Sequence, residues 1–391
     1  MDPSLFISRR LRFRSGITMA SIAVSYLVMI IAVAVSSGFR KEIRGGISAI
    51  SGDIQITSPN MNVLDQTRPI ERNASYLEHV KDMEGVVGVE PVVYRAGIIK
   101  EGDMIHGVLF KGTPDGVVCP DSVRLGVSIP KRLSQMTGLA VGDRMTAYFV
   151  GERTKVRQFN ICSVYDAVVE ADDRLLVYAS MEDLQRLEGW TENQVSALEI
   201  FLSHKHLDEN VILEKTQEVG AVMSAYSEES EAPVIASSSV ARFSQLFDWL
   251  DLIDFNVLFI LLLMTVVAGF NMISGLLIML FENISTIGLL KSLGMTDRAI
   301  SKAFLASASA LALKGMAIGN VLAFLICIIQ DRTHIMKLDP ANYFVSFVPM
   351  KLDPLAVLAA DAVSYVVIVL ILLIPTLFVA KVDPAQTVRV K

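Results

Sequence analysis

The stretch "VLFILLLMTVVAGFNMISGLLIML", Val257 to Leu280, contains no charged residue. As a helix rising 1.5 Å per residue it is long enough to cross the roughly 30 Å of a bilayer's hydrocarbon. A helix this apolar on every side offers water no face, so it reads as a membrane span. Three other runs are nearly as apolar, Ile17 to Val35 without a charge and Ala303 to Ile329 and Leu355 to Ala380 with one each, Lys314 and Asp361. Residues 39–250, between the first and second runs, have ordinary globular composition and enough length to bury a core of their own. A chain of 391 residues that is 52% hydrophobic and only 19% charged is therefore uneven, apolar where it spans and ordinary where it does not.

The net charge of -6 is less informative than where the charges stand. Arg9, Arg10, Arg12 and Arg14 precede the first run; Lys291, Arg298 and Lys302 fall between the second and third; Lys381, Arg389 and Lys391 follow the fourth. These three segments share one side if all four runs span, and their basic excess marks that side as cytoplasmic. Asp248, Asp251 and Asp254 stand at the other end of the second run. Arg40, Lys41 and Arg44 run against the trend, but they open a long domain, where the charge rule weakens. A cleaved secretory signal is the rival for the first run, but the run is longer than the apolar core of such signals.

The expected fold class is a membrane α-helical protein with four transmembrane helices and a large α+β extracytoplasmic domain between the first and second. In order, the expectation is a cytoplasmic basic amphipathic segment (1–16), a first span (17–38), a periplasmic domain (39–250) and a second span with a periplasmic helical extension (251–281). A cytoplasmic loop (282–302), a third span (303–329), a short periplasmic loop (330–354), a fourth span (355–380) and a cytoplasmic tail (381–391) complete it.

In the outer domain, alternating segments such as "GVVGVEPVVYRAGIIK" and "RQFNICSVYDA" read as strands. "MEDLQRLEG" and "HLDENVILEKTQEVG" have helical spacing with glycine at the exit. The last helix, "SSSVARFSQLFDWLDLID", is expected to run straight into the second span. No catalytic chemistry stands up here. The phosphate-cradling Gly-x-x-x-x-Gly-Lys-Ser/Thr loop is missing from the sequence, so nucleotide hydrolysis is not expected of this chain. His204, His206, Asp208 and Glu209 lack a third partner at a recognised metal-ligand spacing and read as a solvated turn; "AVVEADDR", Ala167 to Arg174, reads the same way. No cofactor, metal or nucleic acid is expected. Of the three cysteines, Cys119 and Cys162 in the outer domain form a disulfide or remain two buried thiols, and Cys327 lies in the third span.

The loop "FENISTIGLLKSLGMTDRAI", Phe281 to Ile300, is short, mildly polar and amphipathic. Ile284, Ile287, Leu290 and Leu293 recur every three residues, Lys291 stands off that stripe, and Gly294 ends the helix. Thr296 or Asp297 then caps the third span. Two readings compete on spacing alone: a helix resting on lipid head groups, and a knob for a groove on a cytoplasmic partner.

This loop resembles the coupling helix of permeases of the MacB/FtsX superfamily of ABC transporters, which usually reads as an acidic residue followed by Ile-Gly-Ile-Leu-Lys-Ala-Leu-Gly. The closing "VDPAQTVRVK" is similar to that superfamily's Pro-Ala-Glu-Ala-Leu-Arg tail, and "LAVGDRMTAYFV" and "VYASMEDLQRL" to stretches of its extracytoplasmic domain. "SGFRKEIRGGISAISGDIQI" and "YFVSFVPMKLDPLAV" most resemble its lipoprotein-releasing branch, LolC/LolE. One position departs: Thr286 stands where the superfamily usually carries Glu or Asp, and Glu282 is the nearest acid to take over that contact.

The resemblance implies a non-catalytic permease subunit coupled to a separate cytoplasmic ATPase, present in two copies, and paired with a second permease copy or a paralogue. Glu282, Ile284, Ile287, Leu290, Lys291, Leu293 and Gly294 would meet the ATPase. Lipoprotein cargo, a periplasmic carrier protein and membrane lipids are the other implied partners. The alternatives within the superfamily are an FtsX-like signalling permease acting on a cell-wall hydrolase and a MacB-like exporter with a separate ATPase. Within the spans, Lys314 and Asp361 lie at heights that predict an intramembrane ion pair, and Gly315 and Gly319 form a small-residue face for close helix packing.

Overall fold

The computed structural model describes residues 16–61, 68–101, 104–115, 124–151, 154–166, 175–203 and 208–379. The arginines at 9, 10, 12 and 14, Cys119, the acidic loop at 167–174, His204, His206 and the tail from 380 onward lie outside the described residues. The chain divides into two compact units, one of Met1–Lys41, Trp249–Lys337 and Phe347–Lys391, the other of Glu42–Asp248 and Leu338–Ser346.

Among the described residues, four helices are long and apolar enough to cross a membrane. They are α1 (Gly16–Ser51), α7 (Ser244–Glu282), α9 (Asp297–Thr333) and α11 (Pro354–Val379), the last with Pro375 inside it. Within the first unit, Ile22 and Tyr26 of α1, Ala268, Met272 and Leu276 of α7, Ala308 and Ala312 of α9, and Ile368 and Leu372 of α11 share one apolar cluster. Small residues let the backbones approach. A Cβ placed on Gly319 would lie 2.5 Å from the Ala23 carbonyl oxygen, and one on Gly315 2.7 Å from Ile22 Cγ2. The two glycines thus face α1 of the same chain.

In the second unit the strands are β1 (Ile54–Thr57), β2 (Ile70–Glu71), β3 (Val86–Glu101), β4 (Met104–Thr113), β5 (Gly126–Pro130), β6 (Arg144–Phe149), β7 (Lys155–Tyr165), β8 (Leu175–Ser180), β9 (Gln194–Val195), β10 (Ala197–Leu202) and β11 (Ile235–Ser238). The larger sheet runs β11-β1-β10-β3-β4-β8-β5-β7-β6, and a further β3–β6 pairing closes its last six strands into a ring. Two rungs make that closure, Ile98 with Tyr148 and Ile99 with Ala147. Strand β3 belongs to both parts: Val86 to Val92 pair with β10, while Val93 to Glu101 pair with β4. Phe110, Phe149 and Phe159 fill the ring, their centroids 5.1–6.2 Å apart. The helices α2 (Leu77–Lys81), α3 (Lys131–Thr137), α4 (Met181–Glu188), α5 (Glu209–Tyr226) and α6 (Ser239–Arg242) complete the unit's larger elements, with the single turn α10 (Pro340–Tyr343) beyond.

Two helix boundaries differ from the sequence reading. Helix α5 runs through Gly220, where an exit was expected, to Tyr226, because Val219 and Met223 on either side are both buried in the domain core. The expected single helix from Ser237 is instead broken at Phe243, with φ -119° and ψ 39°: α6 is one short turn capped by Ser238, and α7 starts after it. Cys162 is disulfide-bonded and Cys327 is a buried free thiol.

A buried polar cluster closes the end of α1 inside this unit. Lys111 Nζ donates to the Ile50 carbonyl at 2.7 Å and to Glu199 at 2.8 Å. Arg242 donates to the Ser51 and Gly52 carbonyls at 3.0 and 3.1 Å. The last carbonyls of a helix are unsatisfied and carry its negative dipole end, so two cations there are favourable. Tyr94 donates its hydroxyl proton to Glu199. Burial pushes the Glu199 carboxyl above its ordinary value despite the opposing pull of Lys111, and burial also raises Tyr94.

Candidate functional site

The turn from α7 to α9 is built by short-range rules. Asn283 donates its side-chain amide to the Met279 carbonyl at 2.8 Å, closing the end of α7. Helix α8 (Ile284–Ser292) follows. Its exit is a Schellman motif: Met295 N donates to the Leu290 carbonyl and Gly294 N to the Lys291 carbonyl, both at 3.0 Å. Gly294 has φ +89°, a left-handed conformation that a side chain resists. Thr296 then caps α9, its hydroxyl accepting from Ala299 N.

The apolar stripe expected at Ile284, Ile287, Leu290 and Leu293 does not present as one knob. Ile287 is 0% exposed and packs with Met279, Leu280, Ile300 and Phe304, while Leu290 and Met295 lean on the same cluster. Leu293 is 75% exposed, and Leu289, outside the stripe, is 58% exposed. The reason is geometric. At 100° per residue, a spacing of three drifts around the helix, so Ile284 and Leu293, nine residues apart, fall on opposite sides. Leu289 and Leu293, four apart, share a side. The outward surface is Ser285, Thr286, Leu289, Ser292 and Leu293, with Glu282 exposed before it and Ile284 half-buried.

Lys291 is also placed differently from the sequence reading. Its Nζ lies 2.8 Å from Asp297 and its side chain is only 11% exposed, so it braces the turn. The sequence did carry a signal for this: a basic residue in the last turn of α8 and an acid in the first turn of α9 each complement the nearer helix dipole.

The expected Lys314–Asp361 ion pair is not formed. Asp361 accepts instead from Asn320 Nδ2 at 2.6 Å, and Lys314 is exposed. Both heights were reasonable, but Lys314 lies six residues from Asn320 on α9, about two-thirds of a turn round the helix, so the two do not share the side that meets α11. Asn320 was not singled out from the sequence. Elsewhere in the bundle Asn271 donates to Ser21 at 2.5 Å and Thr265 to Ser364 at 3.3 Å.

Asp208 and Glu209, the acids of the stretch read as a solvated turn, both pair with Arg44. Among the described residues no group of His, Cys, Asp and Glu is arranged to hold a metal ion.

A braced, self-closing turn thus joins the second and third of four helices long and apolar enough to cross a membrane. Residues 258–384 match the family described as FtsX-like permease C-terminal. Over the full chain, the lipoprotein-releasing system transmembrane protein LolC of Xylella fastidiosa is 23% identical across 97% of this chain and 95% of its own length. LolC of Neisseria meningitidis is 22% identical across 97% and 96%. Among solved structures, the periplasmic region of MacB from Actinobacillus actinomycetemcomitans is similar over 49% of this chain and 91% of its own, at 13% identity and a TM-score of 0.31. The C-terminal third of the chain thus matches an FtsX-like permease domain, and the chain as a whole is similar to LolC proteins along nearly its full length.

Proposed function

We propose that this chain is the membrane subunit of an ATP-driven complex that releases lipoproteins from the bacterial inner membrane toward a periplasmic carrier. The observation that carries the reading is the end-to-end similarity to LolC, which takes in the outer domain as well as the spans. In this reading both termini and the α7–α9 turn are cytoplasmic, and residues 39–250 are periplasmic. ATP is hydrolysed by a separate subunit, two copies of which engage two permeases, this one and a second copy or paralogue.

The turn supports the coupling role in a specific way. Thr286, Leu289 and Leu293 offer a small apolar ridge with Glu282 beside it, on a helix held from behind by Ile287 and Leu290. Such a pinned helix fits helix-in-groove docking, in which a shape already formed loses little freedom on binding. A push on the ridge passes to α7 and α9 through the apolar cluster instead of being absorbed by a loop, and α7 is unbroken from Ser244 to Glu282. Work of this kind suits the proposed cargo. Burying acyl chains is favourable by about 0.8 kcal/mol per methylene, so extraction needs an external energy source and a sheltered route.

Depletion in the native host, followed by fractionation of the two membranes, tests the reading. Lipoproteins held in the inner membrane are the expected result. Normal sorting combined with chained cells would overturn it in favour of the signalling permeases that share the matched domain.

A further inference from the structure

The bond between α9 and α11 leaves a remainder. Asn320 Nδ2 donates to Asp361 Oδ2 at 2.6 Å. The other oxygen of each group, Asp361 Oδ1 and Asn320 Oδ1, is buried and has no hydrogen-bond partner among the described residues. Each shares its Cγ with one atom of the bond that is made, so both unpartnered oxygens stand beside the same contact. Both are acceptors: an amide oxygen carries no hydrogen, and an ionised carboxylate carries none either. Turning the amide over exchanges its oxygen and nitrogen but leaves the surplus of acceptors as it was.

The surroundings supply no counter-charge. Lys314 is the one basic residue within the four apolar runs, and it lies on the outside of α9. The titratable neighbours are phenols. Tyr26 of α1 is buried in the field of Asp361, with a hydroxyl that also lacks a partner among the described residues. Tyr365, one turn along α11, meets Ser309 of α9 through its hydroxyl. Helix α7 brings no titratable side chain between Val257 and Leu280. A carboxylate taken out of water without a counter-charge is neutralised instead. One proton on Asp361 Oδ1 resolves both orphans together: that oxygen becomes a donor, and Asn320 Oδ1 gains the partner it lacks.

We propose that Asp361 is a neutral carboxylic acid whose proton is a structural ligand of the bundle, closing a ring of two hydrogen bonds with the Asn320 amide that ties α9 to α11. The tie brings no net charge into the membrane interior, where charges are costly. It also accounts for the unmade pair with Lys314, because a neutral acid holds no charge for a lysine to answer. The proposal stands apart from the question of what the complex transports.

Infrared difference spectroscopy of the full-length permease in lipid nanodiscs tests it, since protonated and ionised carboxyls absorb in separate regions. The chain is compared at neutral pH with its Asp361→Asn variant. Both carry Glu199→Gln and Asp183→Asn, which remove two carboxyls of the outer unit that burial holds above their ordinary values. The expected difference is a carboxylic-acid carbonyl band that Asp361→Asn abolishes, with the carboxylate bands unchanged. Asparagine can close the same ring, amide to amide, so this variant should melt at the parent's temperature. Asp361→Leu, which strips Asn320 of its partner, should melt lower. If Asp361→Asn fails to fold, heavy-carbon labelling of the aspartate carboxyls in the parent reports instead, and the acid band should shift. Loss of a carboxylate band in place of an acid band, or an acid band that labelling leaves unmoved, would overturn the proposal. So would a melting temperature that climbs with sodium in the parent and not in Asp361→Asn, which would put a metal cation between the two oxygens.

Discussion

Asn320 Nδ2 donates to Asp361 Oδ2 at 2.6 Å, joining α9 to α11 in the middle of the bundle and leaving Lys314 on the outside of α9. Removing this tie is expected to weaken the membrane unit more than removing the lysine. Hydrogen bonds between transmembrane helices contribute about 0.6 kcal/mol on average and about 1.7 kcal/mol at most. Asn320→Ala should fall in that range, and Lys314→Gln should leave the melting temperature of the purified permease unchanged. A charge swap, Lys314→Asp with Asp361→Lys, that restores the stability lost in each single variant would show that the two charges do meet.

The two faces of α8 should respond differently to the same substitution. Leu289→Asp or Leu293→Asp is expected to abolish ATPase binding in a detergent pull-down while yield and melting temperature stay normal. Ile287→Asp puts a charge into an apolar cluster with no partner for it, and should reduce the yield itself. Normal ATPase binding by both surface variants would remove the ridge from the coupling contact.

At Gly294 the left-handed backbone sets the cost. With φ at +89° and no atom within 4 Å of an added Cβ, Gly294→Ala meets no clash, only the conformational penalty of about 1–2 kcal/mol. Thermal melting should drop accordingly, and Asp297→Ala, which removes the Lys291–Asp297 ion pair, should add to it.

Gly319 is limited by space. An added Cβ would press on the Ala23 carbonyl at 2.5 Å and on Tyr26 Cβ at 2.9 Å. Gly319→Leu should therefore cost about 1–3 kcal/mol by overpacking, or separate α1 from α9. Urea or thermal unfolding of the permease in lipid nanodiscs measures it.

Glu199 gives the outer unit a pH dependence whose sign follows from burial. Its folded-state value lies above the unfolded one, because desolvation outweighs the attraction of Lys111. Its contribution is therefore full below the ordinary carboxylate range and is lost as pH rises through the raised value. Acidifying from neutral toward that range should strengthen this site, and Glu199→Gln should flatten the trend. A melting temperature that falls equally in both proteins over that interval would contradict the assignment.

Much of the architecture is legible in local sequence because its causes are local. Apolar length marks α7 as a span, and Gly294 with Thr296 marks where one helix stops and the next begins. The outer ring is not legible in this way. Its closing rungs join Ile98 to Tyr148 and Ile99 to Ala147, and β4 lies parallel to β8, pairings that no turn sequence announces. The face of α8 was misread because four apolar residues at a spacing of three look like a stripe although they wind around the helix. The partner of Asp361 was missed because height along a span is readable from residue numbers, while the side a residue faces depends on neighbours that the numbers do not reveal.

The ring in the outer unit is held shut by only two rungs, whereas β3 and β4 share nine residue pairs. The seam between β5 and β8 is equally short, with two pairs, so the ring has two weak joints rather than one. Parting at either joint would bare two strand margins to a neighbouring polypeptide, and these short pairings are what keep the ring's edges covered.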